Sequence, residues 1–327
     1  MITYEDAGRP VLPPLDRLNL QEARMGLAVS RRFRKALDQE DFDLAICNSI
    51  AGWWLSVRRP DVPMVNVFHY TMKGLSEGTL RGTRGYLPSR RFLPLFERVA
   101  ARAKTVVAVS PKVRRELRSG YGIGSRVIEN GVPMEVFRPM DRDRAREELG
   151  IGHDGPMAIF VGRADRTKGF DLVREVARLR PGLKILCITP GPVDDPCLMN
   201  RSNVSNDLMP LYYSAADLLL FPSRYESFGY TPLEAMACGL PVVASRTGIF
   251  EDLDDPRAGR LVDPLGAEAF ARAADEVLNG DFDPRAVVGG RFSLDRFADQ
   301  YRELARAVAA DDGREGAVGV GHDPARS

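Results

Sequence analysis

Hydrophobic and polar positions alternate along this chain on two scales. Short continuous apolar runs, often β-branched, recur at Asp43–Asn48, Met64–Phe68, Thr105–Val109, Ala158–Val161, Lys184–Ile188, Leu218–Phe221, Pro241–Ala244 and Arg260–Val262. Such runs fit strands buried on both faces of a parallel sheet. Between them the apolar residues spread to helical spacing, which predicts helices over Gln21–Leu37, Phe92–Arg102, Pro111–Arg118, Leu172–Leu179, Leu211–Ala215, Ala267–Leu278 and Leu294–Ala309. Alternating strands and helices read as α/β with parallel sheets. The charged, proline- and glycine-punctuated stretch "RPMDRDRAREELGIGHD" (Arg138–Asp154) divides them into two sheets. The expected organisation is a Rossmann-like domain over residues 1–140 and a second over 141–293. A closing helix over 294–310 returns toward the first domain, and 311–327 form a disordered, Gly-rich polar tail.

Composition sharpens this picture in three places. At 327 residues the chain has room for two cores. The net charge of +1 gives no global argument for nucleic acid, but the halves differ. Residues 1–140 carry 23 Lys+Arg against 14 Asp+Glu, and the remainder 23 against 31, which implies different partners for the two halves. The four cysteines, Cys47, Cys187, Cys197 and Cys238, form no C-x-x-C pair, so a zinc site or disulfide framework has no support and a reducing, cytoplasmic compartment is expected. No signal-peptide pattern opens the chain, and no apolar run approaches the ~20 residues of a membrane span.

Two segments carry candidate chemistry. In "FVGRADRTKGFDLV" (Phe160–Val173) a strand ends and Gly162, Arg163 and Lys168 follow before a helix. The order of residues excludes a P-loop and a dinucleotide fingerprint. The position, at the carboxyl end of a strand, is where open α/β sheets bind ligands, and two cations there suit phosphate oxygens. An ordinary loop with solvated cations is the competing reading. In "RYESFGYTPLEAMACGLPVV" (Arg224–Val243), Thr231-Pro232-Leu233-Glu234 reads as a capping box with Thr231 at the N-cap. Helix N-terminal N–H groups at Gly229, Tyr230 and Thr231 suit phosphate. Glu226 has no such structural reading, and a loop carboxylate beside Gly229 can accept hydrogen bonds from hydroxyls, as of a sugar.

The Glu226-x7-Glu234 spacing within "FPSRYESFGYTPLEAMACGLPVVAS" resembles the signature of family 4 retaining glycosyltransferases, which have the GT-B fold. "FVGRADRTKG" resembles that family's donor-diphosphate loop. "TVVAVSPKVRREL", "VIENGVPMEVFRP", "LMPLYYSAADLLLFPS", "GRLVDPLGAEAFARAADEVL" and "FSLDRFADQYRELARA" resemble other family segments, in order, over about Asp43 to Ala309. The resemblance implies two Rossmann-like domains facing a cleft and transfer of a hexose from a UDP-, GDP- or ADP-sugar, without a cofactor or metal, to a glycan or lipid-linked acceptor. It implies that Arg163 and Lys168 hold the diphosphate and that Gly162 lies in their loop. Glu226 meets the transferred sugar, with backbone of Ser227, Phe228 and Gly229 beside it, and backbone at Tyr230 and Thr231 meets phosphate. Glu234 binds the ribose, the backbone around Val204 (Asn203–Asn206) binds the base, and His69 faces the reaction centre from the N-terminal domain. A strand-end histidine with a satisfied hydrogen bond is the alternative for His69.

The family's opening strand and Gly-rich loop have no counterpart in "MITYEDAGRPVLPPLDRLNLQEARMG", so the start is misassigned, the chain is a fragment or the N-terminal domain is reduced, and the chain as given is expected to keep donor binding with transfer weakened. Arg81–Lys104 carries seven basic residues and one acidic among apolar ones, which implies contact with an anionic membrane surface, peripheral on its inner face, against the alternative of a solvated helix. Trp53-Trp54 reads as core or as an acceptor platform. Competing functions are a GT-B-like sugar-nucleotide epimerase, a phosphorylase, and a non-catalytic nucleotide-sugar-binding subunit.

Overall fold

The computed structural model describes residues 21–58, 60–80, 92–102, 104–152 and 155–311. Two wholly parallel sheets organise them. The first has the order β1 (Ala45–Asn48), β2 (Met64–Phe68), β3 (Thr105–Ala108), β4 (Arg126–Val127). The second is built from β5 (Met157–Val161), β6 (Lys184–Thr189), β7 (Met199–Ser202), β8 (Leu218–Phe221), β9 (Val242–Ser245) and β10 (Gly259–Val262), in the order β10-β9-β8-β5-β6-β7. The helices are α1 (Gln21–Leu37), α2 (Trp53–Val57), α3 (Met72–Leu75), α4 (Leu93–Ala101), α5 (Pro111–Tyr121), α6 (Arg142–Glu148), α7 (Phe170–Leu179), α8 (Met209–Ala215), α9 (Tyr230–Ala237), α10 (Ala267–Leu278), α11 (Pro284–Arg291) and α12 (Leu294–Asp311).

The second sheet decides where a ligand can sit. Its chain runs outward from β5 to β6 and β7, then returns to the other side of β5 for β8, β9 and β10. The direction of winding therefore reverses between β5 and β8, and the loops leaving their carboxyl ends diverge around a crevice. Side chains alternate across this sheet. Ile159, Leu186, Leu219 and Val242 enter one apolar cluster, while Ala158, Phe160, Ile185, Leu218, Leu220 and Val243 enter another with α7 and α10. The first cluster continues through Phe137, Ile128 and Val132 into Val65, Val67 and Phe68 of the N-terminal sheet, so one core spans both sheets.

The chain crosses between the sheets twice. Val132 N–H donates to Phe292 O (2.9 Å) and Leu294 N–H donates to Val132 O (3.2 Å), so α12 starts against the end of the first sheet. Gly131 permits that approach, since a Cβ there would lie 2.7 Å from Leu294 Cα. Ion pairs reinforce the seam: Arg291 grips Glu129 with two bonds (2.6 and 2.8 Å), and Arg126 meets Glu303 (3.1 Å). Lys112 pairs with Glu251, and Arg115 with Glu251 (2.7 Å) and Asp252 (2.8 Å). The basic first half and the acidic second half, expected to face different partners, in part face each other.

α2, α3, α6, α11, β4 and β7 have no counterpart among the expected elements, and three of them show why. The charged divide holds α6, capped by Asp141, whose Oδ1 accepts from Arg144 N–H (2.8 Å). Its Arg146 is buried and reaches Ala215 O (2.8 Å) and Asp217 Oδ2 (2.8 Å), so the run expected to divide the two sheets holds a docked helix. β7 is a polar edge strand, "MNRS", with no apolar period to reveal it. β4 has two residues and half-exposed or exposed side chains, and leaves no pattern either. The residues of the basic segment from 81 to 91 lie outside the described ones. Of its remainder, Leu93 is buried and Phe96 packs on Trp53 (ring centroids 4.9 Å), while Phe92 and Leu95 are exposed. Trp53 joins Ile50, Met72 and Leu93 in a small apolar cluster. No helix among the described residues is long and apolar enough to cross a membrane.

Candidate active site

The loops after β5 and β8 flank the crevice, and a set of contacts zips them together. The carboxyl end of the first loop is Gly169, at φ 70° and leading into α7. A Cβ at Gly169 would lie 2.0 Å from Pro222 O, so only glycine lets the two loops close to this distance. Arg224 N–H donates to Thr167 O (2.8 Å), and the Arg224 guanidinium donates to Arg166 O (2.7 Å). The same guanidinium forms a two-pronged pair with Asp171 (2.7 and 2.8 Å), which draws the Asp171 carboxyl below its usual range although partial burial opposes this.

Lys168 and Glu226, singled out separately in the sequence, meet directly. Lys168 Nζ lies 2.5 Å from Glu226 Oε1, and both side chains are half-buried. Ser223 Oγ donates to the same oxygen (3.0 Å), and Glu226 N–H donates to Thr247 Oγ1 (3.1 Å). Thr247 and Ser223 are buried, so the carboxylate stands on a fixed floor. Its second oxygen, Oε2, accepts nothing from the described residues. Arg163 sits at the rim with its Nε on Asp165 Oδ2 (2.7 Å), and its terminal nitrogens are not engaged by described residues. Asp165 Oδ1 accepts from Lys168 N–H (3.0 Å), which fixes the turn between the two cations. Gly162, at φ 151°, opens this loop directly after β5.

The second glutamate departs from the capping-box expectation. The residue preceding α9 is Gly229 at φ 107°, the helix starts at Tyr230, and no side chain caps it. Thr231 is therefore inside the first turn and not the N-cap. A left-handed Gly229 reaches the helix from a tighter turn than Thr231 could adopt. Freed from capping, Glu234 Oε2 accepts from the hydroxyl of Tyr213 (2.8 Å), a fully buried residue of α8. Burial raises the Glu234 carboxyl above its ordinary range, and the tyrosine bond partly opposes that rise. Glu234 Oε1 accepts nothing from the described residues.

The other expected residues are distributed around this centre. Phe228 is buried, packing on Tyr230 (5.4 Å) and Phe292 (6.2 Å), while Tyr230 is exposed. The carbonyl of Ser227 accepts from Ser110 Oγ (2.6 Å), and that of Phe228 from Ile249 N–H (2.8 Å). Val204 is half-buried against the core, directly after Asn203 with its left-handed φ of 54°. His69 follows β2, at the carboxyl end of the first sheet. Its Nε2 lies 3.2 Å from Asn48 Oδ1. The ring is exposed on one side, yet the protein around it disfavours the imidazolium and lowers its pKa. Val109 N–H donates to Phe68 O (3.2 Å), and the next residue is Ser110, which bonds Ser227. His69 thus stands on the N-terminal wall beside the crossing to the Glu226 loop.

Residues 155–280 match a family model described as "Glycosyl transferases group 1", and residues 3–136 match one described as "Glycosyltransferase Family 4". Among solved structures, sucrose-phosphate synthase from Thermosynechococcus elongatus superposes with a TM-score of 0.77 at 22% identity, over 93% of this chain and 82% of that one. The Anabaena protein Alr3699/HepE in complex with UDP-glucose gives 0.69 at 19% identity, over 86% and 82%. The fold is GT-B. The starch synthase IV catalytic domain from Arabidopsis thaliana, bound to ADP and acarbose, shares it with a TM-score of 0.68 at 17% identity, over 88% and 78%. Curated relatives include D-inositol 3-phosphate glycosyltransferases of Geodermatophilus obscurus, 31% identical over 79% of this chain and 65% of that protein, and of Segniliparus rotundus, 30% over 78% and 64%. The GT-B chain described here spans just under two thirds of the length of these relatives.

Sequence reasoning missed Arg224 and Asp171, which hold the two loops in register. The available signal was weak: an arginine two residues before Glu226, and an acid in the first turn of α7.

Proposed function

We propose that this protein is a retaining glycosyltransferase that moves a hexose from a nucleoside-diphosphate sugar to a glycan or lipid-linked acceptor. The observation that carries the reading is the contact of Lys168 with Glu226, which places one cation and one carboxylate together at the sheet's switch point. Breaking a sugar–phosphate bond builds negative charge on the departing diphosphate. Fixed cations placed there in a partly dry cleft stabilise that charge without reorganising. In this reading Lys168 stays on Glu226 and points its remaining ammonium N–H groups at the diphosphate when the donor enters. Arg163 contributes its unengaged terminal nitrogens, and the N–H groups at the start of α9 add their dipoles.

Glu226 keeps Oε2 for hydroxyls of the transferred sugar. Its Oε1 is held by Lys168 and Ser223, an arrangement that suits a positioning acceptor rather than a covalent nucleophile. Glu234 offers Oε1 to the ribose, with Oε2 anchored on Tyr213. The acceptor hydroxyl approaches from the side of the departing diphosphate, between the loop and the wall that bears His69, and gives its proton to the leaving oxygen. The UDP, UDP-glucose and ADP held by the structural neighbours support the donor class.

The test is a thermal-shift panel of UDP-, GDP- and ADP-sugars at ~1 mM. One class is expected to raise Tm by several degrees, since a ligand at 100 times its dissociation constant stabilises by about 2.7 kcal/mol. No shift with any of the three would overturn the reading.

A further inference from the structure

The residue before Glu226 reaches across to the other domain. Tyr225 Oη donates toward Glu116, lying 3.4 Å from both carboxylate oxygens, at the long edge of hydrogen-bond distance. Glu116 belongs to α5, on the N-terminal side, and its Oε2 also accepts from Thr71 Oγ1 (2.6 Å). Thr71 caps α3 by accepting from Gly74 N–H (3.0 Å), and it stands two residues after His69. Lys112, one turn before Glu116 on α5, holds its Nζ 4.9 Å from the Tyr225 ring centroid while pairing with Glu251.

Two glycines make room for this arrangement. A Cβ on Gly78 would lie 2.3 Å from Tyr225 Cγ, so the Tyr225 side chain packs directly against that backbone. A Cβ on Gly74 would lie 2.3 Å from Glu116 Oε2. Burial raises the pKa of both the Glu116 carboxyl and the Tyr225 phenol, and the neighbouring carboxylate raises the phenol further, so Tyr225 stays a donor at neutral pH.

A continuous run of contacts therefore leads from the segment after β2, through Thr71, Glu116 and Tyr225, to Glu226 and Lys168. We propose that Glu116 and Tyr225 form a clasp between the two domains that positions the Glu226 loop, which makes both of them positioning residues for the reaction inferred above. The inference rests on that reading for its catalytic consequence, but the clasp itself is a property of the loop. Ser110, bonded to Ser227 O, forms the second point of the same crossing, on the far side of Glu226. With a fastening on each side, the loop has no free hinge through which Glu226 can drift.

The experiment compares Tyr225→Phe, Glu116→Met and the double variant with the wild type, each checked by thermal melting. Both substitutions nearly keep side-chain size while removing the hydroxyl donor or the carboxylate acceptor. Amide exchange of residues 223–229 is followed first. The clasp predicts exchange about tenfold faster in each single variant, and no further gain in the double variant, because each removes the same fastening. Turnover with the nucleotide sugar found in the thermal-shift panel is measured next. It is expected to fall about tenfold in kcat with the donor KM within about twofold, since the lost interaction sets geometry rather than donor contact. Exchange unchanged in both single variants overturns the clasp, whatever the activity does. Faster exchange with unaltered kcat overturns its positioning role. A wild type that neither binds nor turns over any donor overturns the proposed function instead, and the exchange data still decide the clasp.

Discussion

Lys168→Ala is expected to lower sugar-transfer turnover about 10²–10³-fold, the usual loss when one preorganised group facing developing charge is removed. The expectation follows from position. Lys168 lies in the loop after β5, its backbone fixed by Asp165 (3.0 Å) and its ammonium held at Glu226 (2.5 Å), so it needs no search to reach the donor. Arg163 stays at the rim on Asp165 and cannot replace a charge in the interior of the crevice. The variant should fold, because the loops remain joined by Arg224 on Thr167 O, Arg166 O and Asp171. Steady-state kinetics with saturating donor check this, and kcat within about threefold of wild type would exclude Lys168 from leaving-group stabilisation.

Asp217→Ala should produce the largest loss of stability, about 3–5 kcal/mol, by leaving a buried guanidinium unpaired. Arg146 is 3% exposed, and Asp217 is its only carboxylate partner among the described residues. The same Asp217 Oδ2 accepts from Met157 N–H (2.8 Å), the first residue of β5, and Oδ1 pairs with Arg142 (2.5 Å). One side chain thus ties α6 to the start of the strand whose far end carries the Gly162–Gly169 loop. Urea unfolding checks the prediction: the midpoint should fall with the slope unchanged. A change below about 1 kcal/mol would mean that water or a relaxed α6 takes over the guanidinium.

Most of the sheet framework was legible in the sequence. β2, β8, α1 and α10 fall at the expected residues because each is a buried apolar run or a clean amphipathic repeat. α6 and β7 were not legible, because α6 buries only the adjacent Ala145 and Arg146 and β7 only half-buries Met199 and Asn200, too few positions to make a period. Asn200 Nδ2 bonds Cys187 O (3.1 Å) and Thr189 Oγ1 (2.8 Å) on the neighbouring strand. The candidate site was legible residue by residue through its motifs. The pairings were not, since Lys168 and Glu226 stand 58 positions apart and Glu116 and Tyr225 stand 109 apart. Local rules also misled at Thr231: the capping-box pattern is present, but Gly229 and Tyr213 give the chain and Glu234 better partners.

The charge asymmetry has a comparable lesson. A basic half and an acidic half suggest separate ligands until the seam is seen, where Lys112, Arg115 and Arg126 meet Glu251, Asp252 and Glu303. The exposed pairs among them, those of Arg115 and Arg126, stabilise by at most about 1 kcal/mol each, so they set the register of the two domains more than they hold them together.

The central claim is that Glu226 positions the donor sugar beside the diphosphate cations. Its most direct test is the turnover of Glu226→Ala at saturating nucleotide sugar, with affinity for the nucleoside diphosphate alone measured on the same sample. The account predicts a fall in kcat of about 10²-fold or more with nucleoside-diphosphate affinity within a few-fold of wild type, because geometry at the sugar is lost while the phosphate and ribose contacts remain. Turnover equal to wild type would contradict it.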